Sequence, residues 1–168
     1  MSHGFSRIFT DDPARGGVNS LVMDILPVSL KHSELTDKII GVFYDVHAEL
    51  GPGFLESTYA QAMVLALEQS GLTAIREVSV PVWFRGQRVG QCFADLRVEN
   101  TILLELKTAR SLELAHEAQL LRCLRATEIE VGLLLNFGQR PQFRRLLFVN
   151  GRKKIRENPC ESVARVSA

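Results

Sequence analysis

Apolar positions along this chain follow two periods, and the change between them separates helices from strands. From about Ser33, the residues Leu35, Ile39, Phe43, Val46 and Leu50 recur at spacings of three and four, the stripe of a helix with one buried side. Ser33 or Thr36 is placed to cap its start, and Gly51-Pro52-Gly53 to end it. A second helix is predicted from about Leu55 to Ser70, with Leu55, Tyr59, Met63, Ala66 and Leu67 inward and Gly71 as C-terminal cap. The period then falls to two. Ile75 to Val82 alternates with β-branched residues, Arg85-Gly86-Gln87 is a turn, and Arg88 to Val98 and Thr101 to Thr108 complete an antiparallel three-stranded meander. Helical spacing returns over Glu113 to Ala126, with Leu114, Ala118, Leu121 and Leu124 apolar. Glu130 to Asn136 is a continuous apolar run, as in a strand covered on both faces, and Phe143 to Val149 reads as a further strand. The order is that of an α/β or α+β domain, a mixed β-sheet with helices on at least one face.

The register of the hairpin between Phe93 and Lys107 follows from its apolar sets, Ala94, Leu96 and Val98 on one strand and Ile102, Leu104 and Leu106 on the next. A two-residue turn at Glu99-Asn100 would put these sets on opposite faces. A three-residue connection through Thr101 pairs Val98 with Ile102 and Asp95 with Glu105, which buries one whole face. That register gathers Asp95, Glu105 and Lys107 on the other face. Two carboxylates and a lysine suit a divalent-metal site, with the lysine free to orient a water or balance developing negative charge. By spacing alone, they serve equally well as a surface ion cluster.

Composition narrows the picture only a little. The 168 residues suit one domain, expected at 31–150, between a loosely ordered N-terminal arm at 1–30 and a polar tail at 151–168. Leu21 to Val28 is a candidate extended segment of that arm, and the apolar patch from Leu21 to Leu30, broken by Asp24 and Pro27, is too short to span a membrane. A net charge of +1 gives no global case for nucleic acid, so any basic surface is local. Candidates are Arg85, Arg88, Arg97, Arg140, Arg144 and Arg145, and the cluster Arg152, Lys153, Lys154 and Arg156 that opens the tail. Three cysteines, Cys92, Cys123 and Cys160, without metal-ligand spacing suggest reduced thiols and a cytoplasmic location.

The sequence resembles the GxxExxY family, a branch of the PD-(D/E)XK nuclease superfamily. The name motif stands as Gly53-Phe54-Leu55-Glu56-Ser57-Thr58-Tyr59, preceded by His47-Ala48-Glu49-Leu50-Gly51-Pro52. A second block is Asp95 to Val98 followed by Leu104-Glu105-Leu106-Lys107, and a third runs from His116 to Gln119 and then Val131 to Gly138. The likeness covers roughly Leu35 to Phe148. It implies a restriction-endonuclease-like core and a metal-dependent nuclease hydrolysing phosphodiester bonds of DNA or RNA with Mg²⁺ or Mn²⁺. It makes Asp95 and Glu105 metal ligands, Lys107 the catalytic lysine, Glu56 the acidic residue contributed by the preceding helix, and Gln119 a polar site residue. His116, one turn before Gln119, can face the same site as an accessory group. Where the family carries an aromatic four residues after that glutamine, this chain has Cys123. His47 and Tyr59 read as packing or hydrogen-bonding partners of the Gly-Pro-Gly bend, and Trp83 as a core aromatic or a base-stacking one. The alternative is a catalytically silent module of the same fold that binds nucleic acid or protein, favoured by the near-neutral charge and by Cys123. No membrane partner is expected, and homodimerisation is left open.

Overall fold

The structure is a computed structural model and describes residues 31–149 and Gly151. The predicted arm, the basic cluster and Cys160 lie outside the described residues. Element order is α1 (Ser33–Leu50), α2 (Glu56–Gln69), β1 (Ala74–Phe84), β2 (Gln87–Val98), β3 (Ile102–Lys107), α3 (Leu114–Ala126), β4 (Val131–Asn136) and β5 (Gln142–Leu147). The five strands form one sheet in the order β1-β2-β3-β4-β5. Only β3 and β4 run parallel, because α3 carries the chain back between them; the other neighbours are antiparallel. This is the mixed, meander-containing α/β architecture that the periodicity predicts.

Both faces of the sheet are covered. Ile39, Phe43 and Val46 of α1 and Tyr59, Met63 and Leu67 of α2 pack on Leu96, Val98, Ile102, Leu104, Leu106, Val131, Leu133 and Leu135. On the other face Leu120, Cys123 and Leu124 of α3 meet Ala94, Leu103 and Leu134. A strand buried on both sides needs an unbroken apolar run, and every residue of β4 is buried. Gly132 is the exception in size for a reason. A Cβ there would lie 2.9 Å from a Leu120 methyl, so its absence lets α3 settle on the sheet.

Several helix-face expectations are corrected. Leu50, Leu55 and Leu114 are exposed, the last two at 75% and 78%. Leu50 is the last residue of α1, Leu55 the cap residue of α2 and Leu114 the first residue of α3, so each stands at a helix end. On α3 the buried residues are Leu120, Cys123 and Leu124, with Leu121 partly buried against the same cluster, whereas Leu114 and Ala118 are exposed. Neither Ser33 nor Thr36 caps α1; His32 holds the cap position, and Thr36 is buried one turn inside. Gly71 closes α2 as expected. With φ of 76°, it lets the Gly71 and Leu72 N–H groups reach Glu68 O and Leu67 O, a Schellman turn.

The connection from β2 to β3 is the three-residue one. Glu99 and Asn100 take left-handed conformations (φ 50° and 52°), the Thr101 N–H donates to Val98 O, and Val98 pairs with Ile102. One expectation fails here. Ala94 does not join Leu96 and Val98 but packs, with Cys92, against α3. The alternation of β2 therefore changes phase at Asp95. Opposite it on β1, Glu77 adopts φ of 53° and has no partner in the β1–β2 pairing, which resumes in the same register at Val78–Ala94.

Candidate active site

That phase change positions the site. The β2–β3 ladder stops at Leu96–Leu104, one step before Asp95 would face Glu105. There the Asp95 carboxylate accepts the Leu106 N–H (Oδ2, 2.7 Å) in place of a main-chain carbonyl. One Asp95 oxygen is thus fixed by backbone, and the strands part over the second half of β3.

Glu105 and Lys107 occupy that half. Lys107 Nζ donates to Glu105 Oε1 at 2.7 Å, and Gln119 Nε2, from the middle of α3, donates to the same oxygen. Glu105 is 1% exposed, and its Oε2 is buried without a protein partner. Burial, helped by the nearby Asp95 and Glu56 charges, raises the Glu105 carboxyl to about 7 against the hydrogen bond and charge of Lys107. Burial acts in the opposite sense on Lys107, yet its ammonium is held above the usual lysine range by the hydrogen bond and charge of Glu105, helped by Glu56 and Asp95. The lysine remains cationic; the glutamate is poised near neutrality.

Glu56 comes from the other side. It opens α2, and its Oε1 accepts the Thr108 N–H at 3.3 Å, just beyond the end of β3. The rest of the Gly-x-x-Glu-x-x-Tyr motif sets that position. Tyr59, one turn on and fully buried, donates from its hydroxyl to Gly51 O at 2.6 Å and accepts the Phe54 N–H at 3.3 Å, and its ring stacks on Phe137 at 4.3 Å. Gly51 and Gly53 make the bend at φ of 68° and 113°. Tyr59 thus fixes the bend from which α2, opened by Glu56, begins. His47 serves the same frame through its Nε2 contact with Gly138 O at 2.9 Å.

The five predicted site residues are therefore brought together from α2, β2, β3 and α3. The Glu56 and Asp95 charges both act on Glu105, but the three carboxylates are tied to backbone N–H groups or to Lys107. Among the described residues, no three acidic, histidine or cysteine side chains are gathered as a ready ligand set for an ion. His116 is not among the site residues. Its Nδ1 accepts the Glu113 N–H and closes a capping box at the start of α3. Most of the candidate arginines bond within the protein: Arg144 to Glu117, Arg145 to Lys31 O, Arg88 to Gln91, and Arg85 over the Phe84 ring. Trp83 sits half-buried at a bulge in the β1–β2 hairpin.

A residue the periodic reading treats only as the end of an apolar run proves central. Asn136, fully buried, accepts the Ala109 N–H and donates to Ala109 O, both at 2.9 Å, and so pins the loop that follows Lys107. A lone amide closing a buried strand was the available signal.

Residues 33–146 match the PD-(D/E)XK nuclease superfamily, and the chain belongs to that superfamily. Among solved structures, it is similar to the protein described as "Crystal structure of SSO0001", at 24% identity and a TM-score of 0.46. That match covers 73% of this chain and 61% of the other. No curated protein matches. Among the described residues no helix is long and apolar enough to cross a membrane.

Proposed function

We propose that this protein is a divalent-metal-dependent nuclease of the GxxExxY branch, acting on DNA or RNA in the cytoplasm. The observation that carries the reading is the convergence of Asp95, Glu105 and Lys107 where β2 leaves β3. The donor set suits Mg²⁺ or Mn²⁺, which take hard oxygen ligands. Glu105 Oε2 is the clearest fit, being a buried carboxylate oxygen with no protein partner. Asp95 and Glu105 would hold the ion, with Glu56 contributing from α2. Such an ion, when bound, supplies Lewis acidity and offsets charge at the phosphate. Lys107 presents an ammonium to the attacking water or to a phosphate oxygen. Gln119 keeps the Glu105 carboxylate oriented, and α3 excludes bulk water from its inner oxygen. A second reading, a non-catalytic binding module, draws on Glu105 Oε1 being already satisfied by Lys107 and Gln119.

The test combines cleavage with metal titration. The native chain should cut DNA or RNA with Mg²⁺ or Mn²⁺ and stop with a chelator. Glu105→Ala should lose metal-induced thermal stabilisation, whereas Lys107→Ala should keep it and turn over far more slowly, since an ammonium cannot ligate a cation. Equal cleavage by parallel preparations of all three proteins would assign the activity to a contaminant. Cleavage by none would leave the binding module.

A further inference from the structure

Beside the acidic cluster lies a cavity of about 360 Å³, between the Gly-Pro-Gly bend and the loop leaving β3. Its walls include Phe54, Thr108, Ala109, Arg110, Gly138 and Gln139. We infer that this cavity receives one unpaired nucleotide next to the bond to be cut, with its base against Phe54 and its phosphate toward Arg110. The inference rests on the nuclease reading and narrows it to substrates with single-stranded character.

Location is the first argument. Thr108 follows Lys107 directly and donates its N–H to Glu56, so the cavity opens from the same loop that ends the site strand. The second is rigidity. Asn136 holds both main-chain groups of Ala109, and Phe137 N–H donates to Lys107 O at 2.7 Å. Gly138 packs so closely that a Cβ would lie 2.2 Å from Ala109 O. The wall is formed before any ligand arrives, which lowers the ordering cost of binding. The third is chemistry. Phe54 is 49% exposed and stands at 79° to the Tyr59 ring, an aromatic left partly in water beside the site. Base–aromatic stacking is tolerant of base identity and needs an unstacked base. Arg110 is exposed, and no carboxylate pairs with it among the described residues, unlike Arg144 and its Glu117. The volume, at the low end of small-ligand pockets of about 300–1,000 Å³, suits one nucleotide and not a stacked base pair.

The test separates binding from cleavage. Fluorescence anisotropy in EDTA would compare a labelled single strand with the blunt duplex of the same sequence, in DNA and RNA forms. The native protein, Phe54→Ala, Phe54→Tyr and Arg110→Ala would be assayed, each first checked for a native thermal melt. Phe54→Ala should weaken single-strand binding about tenfold, with Phe54→Tyr restoring it and duplex affinity changing less than about twofold. Arg110→Ala should weaken single-strand binding and flatten its salt dependence. Single-strand binding by Phe54→Ala within about twofold of native, an equal loss for the duplex, or no single-strand binding by the native chain would overturn the proposal. Cleavage with Mn²⁺ is scored separately. A native protein that cuts while Phe54→Ala binds normally sinks the cavity and keeps the nuclease. Phe54-dependent binding without any cleavage does the reverse.

Discussion

The buried Glu105 carboxylate makes the stability of the protein depend on pH in an unusual direction. Its pKa rises from an ordinary 4.5 in the unfolded chain to about 7 in the folded one. Between those values the native state binds more protons than the unfolded state, so stability falls as pH rises. The effect is fully absent below 4.5 and complete above about 7. A shift from 4.5 to about 7 corresponds to about 3 kcal/mol. Lys107 is charged in both states throughout this window and adds no slope. His32 works the other way: burial, with the Lys31 and Arg145 charges, lowers its pKa, so its contribution is lost as pH falls below 6.5. The isosteric Glu105→Gln variant removes one term and keeps the other. Urea unfolding of both proteins in chelator, from pH 4.5 to 8, should show the native chain losing about 3 kcal/mol relative to the variant. Two parallel curves would refute the assignment of a buried, high-pKa carboxyl to this position. Millimolar Mg²⁺ should diminish the difference by favouring the ionised form.

Tyr59→Phe should cost about 1–2 kcal/mol in denaturant unfolding, because Gly51 O and the Phe54 N–H both lose the hydroxyl; an unchanged midpoint would mean the bend is held otherwise. Gly138→Ala should cost about 2 kcal/mol or more, since the new Cβ meets the carbonyl of Ala109 and backbone must move, and a wild-type melt would contradict that packing. Cys123 is fully buried, donates to Phe93 O at 3.4 Å, and has its pKa driven up by the adjacent Cys92 sulfur and by burial. A thiol reagent read out by peptide mass spectrometry should therefore label Cys92 well before Cys123 in the native protein, and equal labelling would count against it.

Much of this arrangement is legible in the residues. Strands betray themselves where one face is apolar, and the pairing of Val98 with Ile102 follows from matching two such faces. Asp95, Glu105 and Lys107 are found by the same alternation, since a charged residue that keeps step with a buried face must point at the opposite one. What alternation cannot show is that the opposite face is also covered. Glu105 looks like a surface residue until α3 is laid over it, and its altered acidity is a tertiary effect. Ala94 fails for a related reason: a strand that changes phase at Asp95 violates the rule used to read it, and nothing local at Glu77 announces its left-handed backbone. Helix faces err at their ends, as Leu55 and Leu114 show. His116 is misread because a ring one turn from Gln119 can serve its own helix terminus as readily as a ligand.

The two sides of the sheet differ in thickness. Two helices and a large apolar cluster lie behind β3, whereas α3 rests on a smaller patch built from Leu120, Cys123 and Leu124. Cooperative units with fewer buried contacts open at lower free energy than the whole molecule. Amide hydrogens of α3 should therefore exchange faster than those of β3 and β4, through openings that leave the α1–α2 side folded. Such an opening would release Gln119 from Glu105 and let water reach the inner carboxylate oxygen, while Asp95 would stay fixed by the Leu106 amide. The most deeply buried carboxylate of the acidic cluster would then be hydrated without global unfolding.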